Sequence, residues 1–99
     1  SAPSLITTIG SPTLALGGII AFEVVGNKLF VATGADKKFR VLDITDVRNP
    51  KVLAVANIQN VAQYGGLEIE VDASRRIAFV GEATMYVFDV SNYLPCKKP

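Results

Sequence analysis

One short segment occurs twice in the sequence, with Asp43 of the first copy 46 residues before Asp89 of the second. The first copy is FRVLDITDVRNP, residues 39–50, and the second is YVFDVSNYLP, residues 86–95. In both copies an apolar run leads to the aspartate, which is followed by an apolar residue, a threonine or serine and, further on, a proline. Such a repeat within one chain predicts a fold built from two similar units.

Further landmarks extend the repeat over nearly the whole chain. They keep the same order in both copies and lie 47 to 49 residues apart: residues 3–9 match residues 50–56, Gly17-Gly18 matches Gly65-Gly66, and Phe30-Val31 matches Phe79-Val80. We therefore assign repeat one to about 3–49 and repeat two to about 50–96, within a single β domain that spans residues 1–99.

The apolar residues come in short runs that are rich in valine, isoleucine and phenylalanine and are separated by turn residues. This pattern is typical of strands, and in the clearest run, residues 67–72, apolar and acidic residues alternate. Gly26-Asn27 marks a tight hairpin between two runs. The pattern predicts eight strands: 4–9, 19–25, 28–33, 38–44, 51–57, 67–72, 77–81 and 84–90.

A repeated unit of four antiparallel strands and 40–50 residues has the period of a β-propeller blade. The sequence therefore predicts an all-β chain of two four-stranded, propeller-type blades. The last predicted strand, 84–90, is followed by no outer strand, whereas strand 4–9 precedes the first blade as a spare one. We expect strand 4–9 to serve as a closing outer strand. A small β-sandwich, in which the two sheets cover each other, is the alternative.

Residues 24–50, VVGNKLFVATGADKKFRVLDITDVRNP, resemble the LVIVD repeat, a propeller-type repeat of cell-surface and secreted proteins. Residues 71–95 resemble it more distantly, because Ala-Ser-Arg-Arg takes the place of Gly-Asn at the hairpin. The resemblance implies a β-propeller and an extracellular or cell-surface location. It implies no shared catalytic residue.

Two blades cannot close a propeller ring, which typically needs four to eight. An open pair leaves apolar sheet faces and unpaired strand edges in water. We therefore expect protein to complete the chain, either copies of itself in an oligomer or other segments of a longer parent protein. The expected function is that of a non-enzymatic structural or interaction module.

The composition argues against several other classes of function. Ten basic and nine acidic residues leave a net charge of +1, without the basic excess of a nucleic-acid-binding surface. No apolar run reaches the roughly 18 residues of a membrane-spanning helix, so we expect no membrane insertion. The chain has no histidine, the commonest general base and metal ligand. We expect neither an enzyme nor a bound cofactor.

A few residues remain as candidates for a site. Glu68 and Glu70 could contribute oxygen ligands to a Ca²⁺ ion, although we favour a row of acidic residues that are solvated or paired with Arg75, Arg76 and Lys28. Tyr64, Tyr93 and Cys96 are candidate interaction residues. Two alternative functions stay open: a fragment of a larger propeller enzyme or ligand-binding protein, and a Ca²⁺-binding module.

Overall fold

A computed structural model describes residues 3–6, 19–33, 37–58, 68–81 and 84–94 of the chain. These residues form seven strands and one short 3₁₀ turn, Ser91–Tyr93. The strands are β1 (Ile19–Val25), β2 (Lys28–Thr33), β3 (Lys38–Asp43), β4 (Lys51–Asn57), β5 (Glu68–Asp72), β6 (Ile77–Gly81) and β7 (Met85–Asp89). Every strand pair is antiparallel, so the all-β prediction is confirmed for the described part of the chain.

The strands form two sheets, each a meander in chain order. The first sheet has four strands in the order β1-β2-β3-β4, and the second has three in the order β5-β6-β7. Seven of the eight predicted strands are present, with bounds that agree to within one residue. The hairpins form where turn residues interrupt the apolar runs: Gly26 has a φ of 60°, which glycine adopts without steric cost.

The eighth predicted strand, 4–9, is not present over its described part. Residues 3–6 belong to no strand, and Leu5 and Ile6 are 84% and 58% exposed. Residues 7–9 lie outside the described residues. An extended segment is stable in water only when a neighbouring strand accepts its backbone hydrogen bonds. Residues 4–6 therefore form no strand in the single chain, and the role of strand 4–9 as a closing outer strand stays a prediction.

The two sheets pack face to face through one apolar layer. Phe30 and Phe39 of the first sheet and Val80 of the second are buried in this layer. The rings of Phe39 and Phe88 stack across the two sheets with their centroids 4.7 Å apart. We call the two faces that meet here the inward faces, and the opposite faces of the same sheets the outward faces.

The outward face of the first sheet also has a buried centre. Leu29, Val31 and Leu42 form a second cluster, with Ile44 packed against it. Beside this cluster, on β1, Phe22 and Val24 are 65% and 53% exposed. Side chains of this sheet are therefore apolar on both faces, as in sheets that are covered on both sides.

Gly81 ends β6 at a position where the backbone of the next strand approaches closely. A Cβ atom at this residue would lie 2.0 Å from the carbonyl oxygen of Thr84. We predict that Gly81→Ala lowers the free energy of unfolding by about 1–3 kcal/mol or more, because the β6–β7 hairpin must open to admit the methyl group. Urea denaturation measures this loss.

Gly26→Ala is the matched control for Gly81→Ala. A Cβ atom at Gly26 meets no atom within 4 Å, so only its positive φ is strained. That strain costs about 1–2 kcal/mol. If Gly26→Ala is the more damaging of the two substitutions, the close approach at Gly81 is incorrect.

Candidate functional site

The repeated segment forms the same turn in both copies, at the ends of β3 and β7. Oδ1 of Asp43 accepts hydrogen bonds from the backbone N–H and the hydroxyl of Thr45, at 2.8 and 2.6 Å. Oδ1 of Asp89 accepts the equivalent bonds from Ser91, at 2.9 and 2.6 Å. Each aspartate thus closes an Asx-type turn that ends its strand. The repeated segment therefore has a structural role in both copies.

A second pair of contacts joins each turn to the preceding hairpin. The N–H of Ile44 donates to the carbonyl oxygen of Asn27 at 2.9 Å, and the N–H of Val90 donates to that of Arg76 at 3.1 Å. Arg76 also donates through its guanidinium group to the carbonyl oxygens of Ser91 and Leu94. The backbone hydrogen bond is the same in both repeats, although its acceptor belongs to Asn27 in the first repeat and to Arg76 in the second.

These hydrogen bonds stabilise the charged form of the aspartates. The Thr45 hydroxyl, followed by the Thr45 N–H, holds the pKa of Asp43 below its ordinary value of 3.8. The Ser91 hydroxyl and N–H lower the pKa of Asp89 in the same way. At the β5–β6 hairpin the N–H of Arg75 is the main cause of the lowered pKa of Asp72.

The two acidic candidates, Glu68 and Glu70, lie on β5. Glu68 and Glu70 are both exposed on the outward face of the second sheet. Asp72 accepts hydrogen bonds from the N–H groups of Ser74 and Arg75 and pairs with the Arg75 side chain at 3.5 Å. Among the described residues, no three Asp, Glu, His or Cys side chains come together as a metal site would require. Glu68 and Glu70 are exposed on one strand, and their role as Ca²⁺ ligands stays a prediction.

Glu23 has a specific partner in the other sheet. Its carboxylate oxygen Oε1 accepts the backbone N–H of Val71 at 2.8 Å, so a side chain of β1 binds the main chain of β5. The role of Glu23 depends on the approach of two strands that lie 48 positions apart in the chain.

Tyr93 lines a cleft between the open sides of the two sheets. The cleft has a volume of about 220 Å³ and lies between β4, at Ala54 and Ala56, and β7, at Phe88. Its walls are mainly apolar, and Tyr93 also packs against the buried layer. The other two candidate interaction residues, Tyr64 and Cys96, lie outside the described residues.

Exposed apolar side chains are concentrated on the outward faces and on β4. On the second sheet Met85 and Val87 of β7 are 52% and 57% exposed. On the first sheet Phe22 and Val24 are exposed to a similar extent. Neighbouring exposed apolar side chains on a sheet face are typical of a surface that contacts protein.

No protein-family model matches the chain, and neither a curated protein nor a solved structure matches it. Within the described part of the chain, no helix is long and apolar enough to cross a membrane.

The turn aspartates predict how stability responds to acid. A folded-state pKa below that of the unfolded chain contributes stability above the unfolded pKa, and this contribution is lost as the pH falls through the folded pKa. We therefore expect the urea midpoint to be nearly constant from about pH 7 to pH 5 and to fall below about pH 4. Asp43→Asn removes one of the responsible charges, so the loss on acidification should be smaller.

Two substitutions at Thr45 control for this interpretation. Thr45→Val removes the hydroxyl donor to Asp43 and should also reduce the acid-dependent loss, whereas Thr45→Ser reproduces the Asp89–Ser91 pair and should preserve it. If Asp43→Asn and Thr45→Val lose as much stability as the unsubstituted chain between about pH 5 and pH 3, the turn carboxylates are not the cause.

Proposed function

We propose that this chain is a pair of β-propeller-type blades that acts as a non-enzymatic structural or interaction module, and that its outward faces are completed by protein. The observation that carries the proposal is the distribution of apolar side chains over both faces of each sheet. The inward faces bury Phe30, Phe39 and Val80 against each other. The outward faces still expose Phe22 and Val87.

The matching rungs of the two sheets favour blades over a sandwich. A rung is a set of directly paired residues across neighbouring strands, which share one face of the sheet. Glu23, Phe30 and Val41 form a rung of the first sheet. Glu, Phe and Val recur as a rung of the second sheet, made by Glu70, Phe79 and Val87.

The two identical rungs face opposite ways relative to the buried layer. The first faces inward, where Phe30 and Val41 are 0% and 2% exposed, and the second faces outward, where Val87 is 57% exposed. Two sheets of a closed sandwich would direct equivalent apolar positions at each other. Consecutive blades direct them the same way around the ring, each toward the next blade.

The open edge of β7 supports the completion of the second sheet by another strand. In the first sheet β4 pairs with β3, and its residues 51–56 match residues 4–9 in sequence. In the described residues no strand occupies the corresponding place beside β7. A free strand edge readily accepts a further strand. The predicted closing strand 4–9 fits this place, and its described residues, 4–6, are exposed.

The extracellular or cell-surface location belongs to the same proposal and rests on the resemblance of residues 24–50 to the LVIVD repeat. The LVIVD assignment itself rests on the pattern of these residues and on the rungs that the pattern produces. We propose no enzymatic function, because the turn aspartate that lines the cleft, Asp89, is engaged by the N–H and the hydroxyl of Ser91.

The native mass of the chain tests the proposal. We expect light scattering over a dilution series to give a discrete oligomer, with a mass that is a multiple of 10.6 kDa, since each added copy covers apolar area worth about 25 cal/mol per Å². A trimer or a tetramer would correspond to six or eight blades.

A hydrophobic dye, added over the same dilution series, separates the remaining outcomes. A folded monomer that binds the dye would overturn self-completion and favour other segments of a parent protein as the partner. A folded monomer that binds no dye would overturn the module proposal as a whole, because its outward faces would then need no cover.

A further inference from the structure

The repeat places a second glutamate, Glu70, on an outward face, at the position that corresponds to Glu23. Glu23 and Glu70 hold the same place in the two matching rungs, next to Phe30 and Phe79 respectively. The Glu23 carboxylate accepts the Val71 N–H of the sheet that packs on it. The Glu70 carboxylate points from the outward face and is exposed.

The strand that donates the N–H, β5 at Val71, has a counterpart as well. Val71 pairs with Ala78 on β6, and in the first sheet Val24 pairs with Leu29 at the corresponding place on β2. Both β1 and β5 are edge strands, and alternate N–H groups of an edge strand point away from the sheet. Val71 packs against the buried layer, whereas Val24 is 53% exposed. The outward faces thus present both halves of a second Glu–Val contact.

We propose that two copies of this chain associate head to tail and repeat the internal contact between their sheets. The outward face of the second sheet of one copy packs on the β1 side of the first sheet of the next. The Glu70 carboxylate of one copy accepts the N–H of Val24 of the next, as Glu23 accepts that of Val71. This inference rests on the proposed function and names its partner and its surface.

Three observations select a second copy as the occupant. The exposed apolar side chains of one face, Met85 and Val87, are matched by those of a different face, Phe22 and Val24. Glu70 adds a charged acceptor for which Val24 offers an edge N–H. The internal contact between the sheets shows that surfaces of this kind fit each other, since Phe30 and Val41 are fully or almost fully buried there.

The residues that are already buried on the outward face of the first sheet limit where the contact between two copies can lie. Leu29, Val31 and Leu42 lie at the centre of the outward face of the first sheet and are buried within the single chain. Exposed apolar residues of that face lie on both edge strands, Phe22 and Val24 on β1 and Val52 and Val55 on β4. The contact lies along β1, because Val24 offers its N–H there. Two different faces meet, so the interface is heterologous, and its repetition produces a ring if the rotation closes.

Two pairs of variants of the full chain test the inference by their effect on the association measured by light scattering. Val87→Lys places a charge in the proposed interface, and we expect it to weaken association by at least about a hundredfold. Val47→Lys is its control, because Val47 is 45% exposed in the turn after β3. We expect Val47→Lys to associate like the unsubstituted chain.

The second pair isolates the hydrogen bond. Glu70→Ala removes the acceptor of a charge-assisted bond and should weaken association about tenfold or more. Glu68→Ala removes an exposed carboxylate from the same strand and face and should change it by less than about twofold. Circular dichroism of each variant confirms that these exposed positions leave the fold intact.

The inference is overturned if the chain associates but Val87→Lys and Glu70→Ala have no effect, in which case the proposed function still stands. It is overturned equally if the two controls weaken association as strongly as their partners, because the contact then lies elsewhere. A chain that stays monomeric at every concentration overturns the inference too, and only the dye result then decides whether the proposed function survives.

Discussion

The structure depends on the burial of one apolar layer between two sheets. An isolated antiparallel sheet of three or four strands gains little stability in water unless one face is covered. Here Phe30 and Val41 enter the layer from one side and Val80 from the other, and the ring of Phe39 stacks on that of Phe88. Full burial of an aromatic or branched side chain of this kind contributes about 1.5–3 kcal/mol. Without this contact neither sheet has a covered inward face, and the Glu23–Val71 hydrogen bond cannot form.

The repeated aspartate turns have a different role, which is to define where strands end. Asp43 and Asp89 each satisfy a backbone N–H that no sheet partner accepts, and Thr45 and Ser91 add the hydroxyl bond. Conserving these bonds requires an acceptor and a small donor two residues later, which explains why the sequence repeats this part most closely. A motif that recurs for a structural reason can resemble a catalytic one, so its contacts must be known before chemistry is assigned to it.

The same arrangement that stabilises the inward faces leaves apolar side chains exposed on the outward faces. Strand β7 carries large apolar residues on both faces, and the first sheet covers only the face with Tyr86 and Phe88, whereas Met85 and Val87 are exposed. The repeat therefore yields a surface that resembles the buried one, with Val87 in place of Val41 and Glu70 in place of Glu23. We interpret the outward faces as unfinished copies of the internal contact. On that interpretation the function lies in assembly, and the cleft beside Tyr93 lies next to β7, an edge strand among the described residues.

The sequence by itself determined the strands, their hairpins and the two aspartate turns. These features depend on residues close together in the chain: the two-residue alternation of apolar side chains, Gly26 at a positive φ and a hydroxyl two residues after Asp43. The same local pattern predicted a strand at 4–9, whose described residues, 4–6, belong to no strand of the single chain, because pairing requires a neighbour that the pattern cannot supply. Tyr93 was identifiable as a loop residue, but not as part of a cleft.

Only the tertiary structure decided which faces are covered and which carboxylate has a partner. Glu23, Glu68 and Glu70 are equivalent in the sequence as acidic residues in strands, yet only Glu23 meets the N–H of Val71. Alternation along a strand separates its two faces, but it does not say which face another sheet will cover. That choice depends on how β1 and β5 approach each other in space, and such long-range contacts are not encoded in any short segment of the chain.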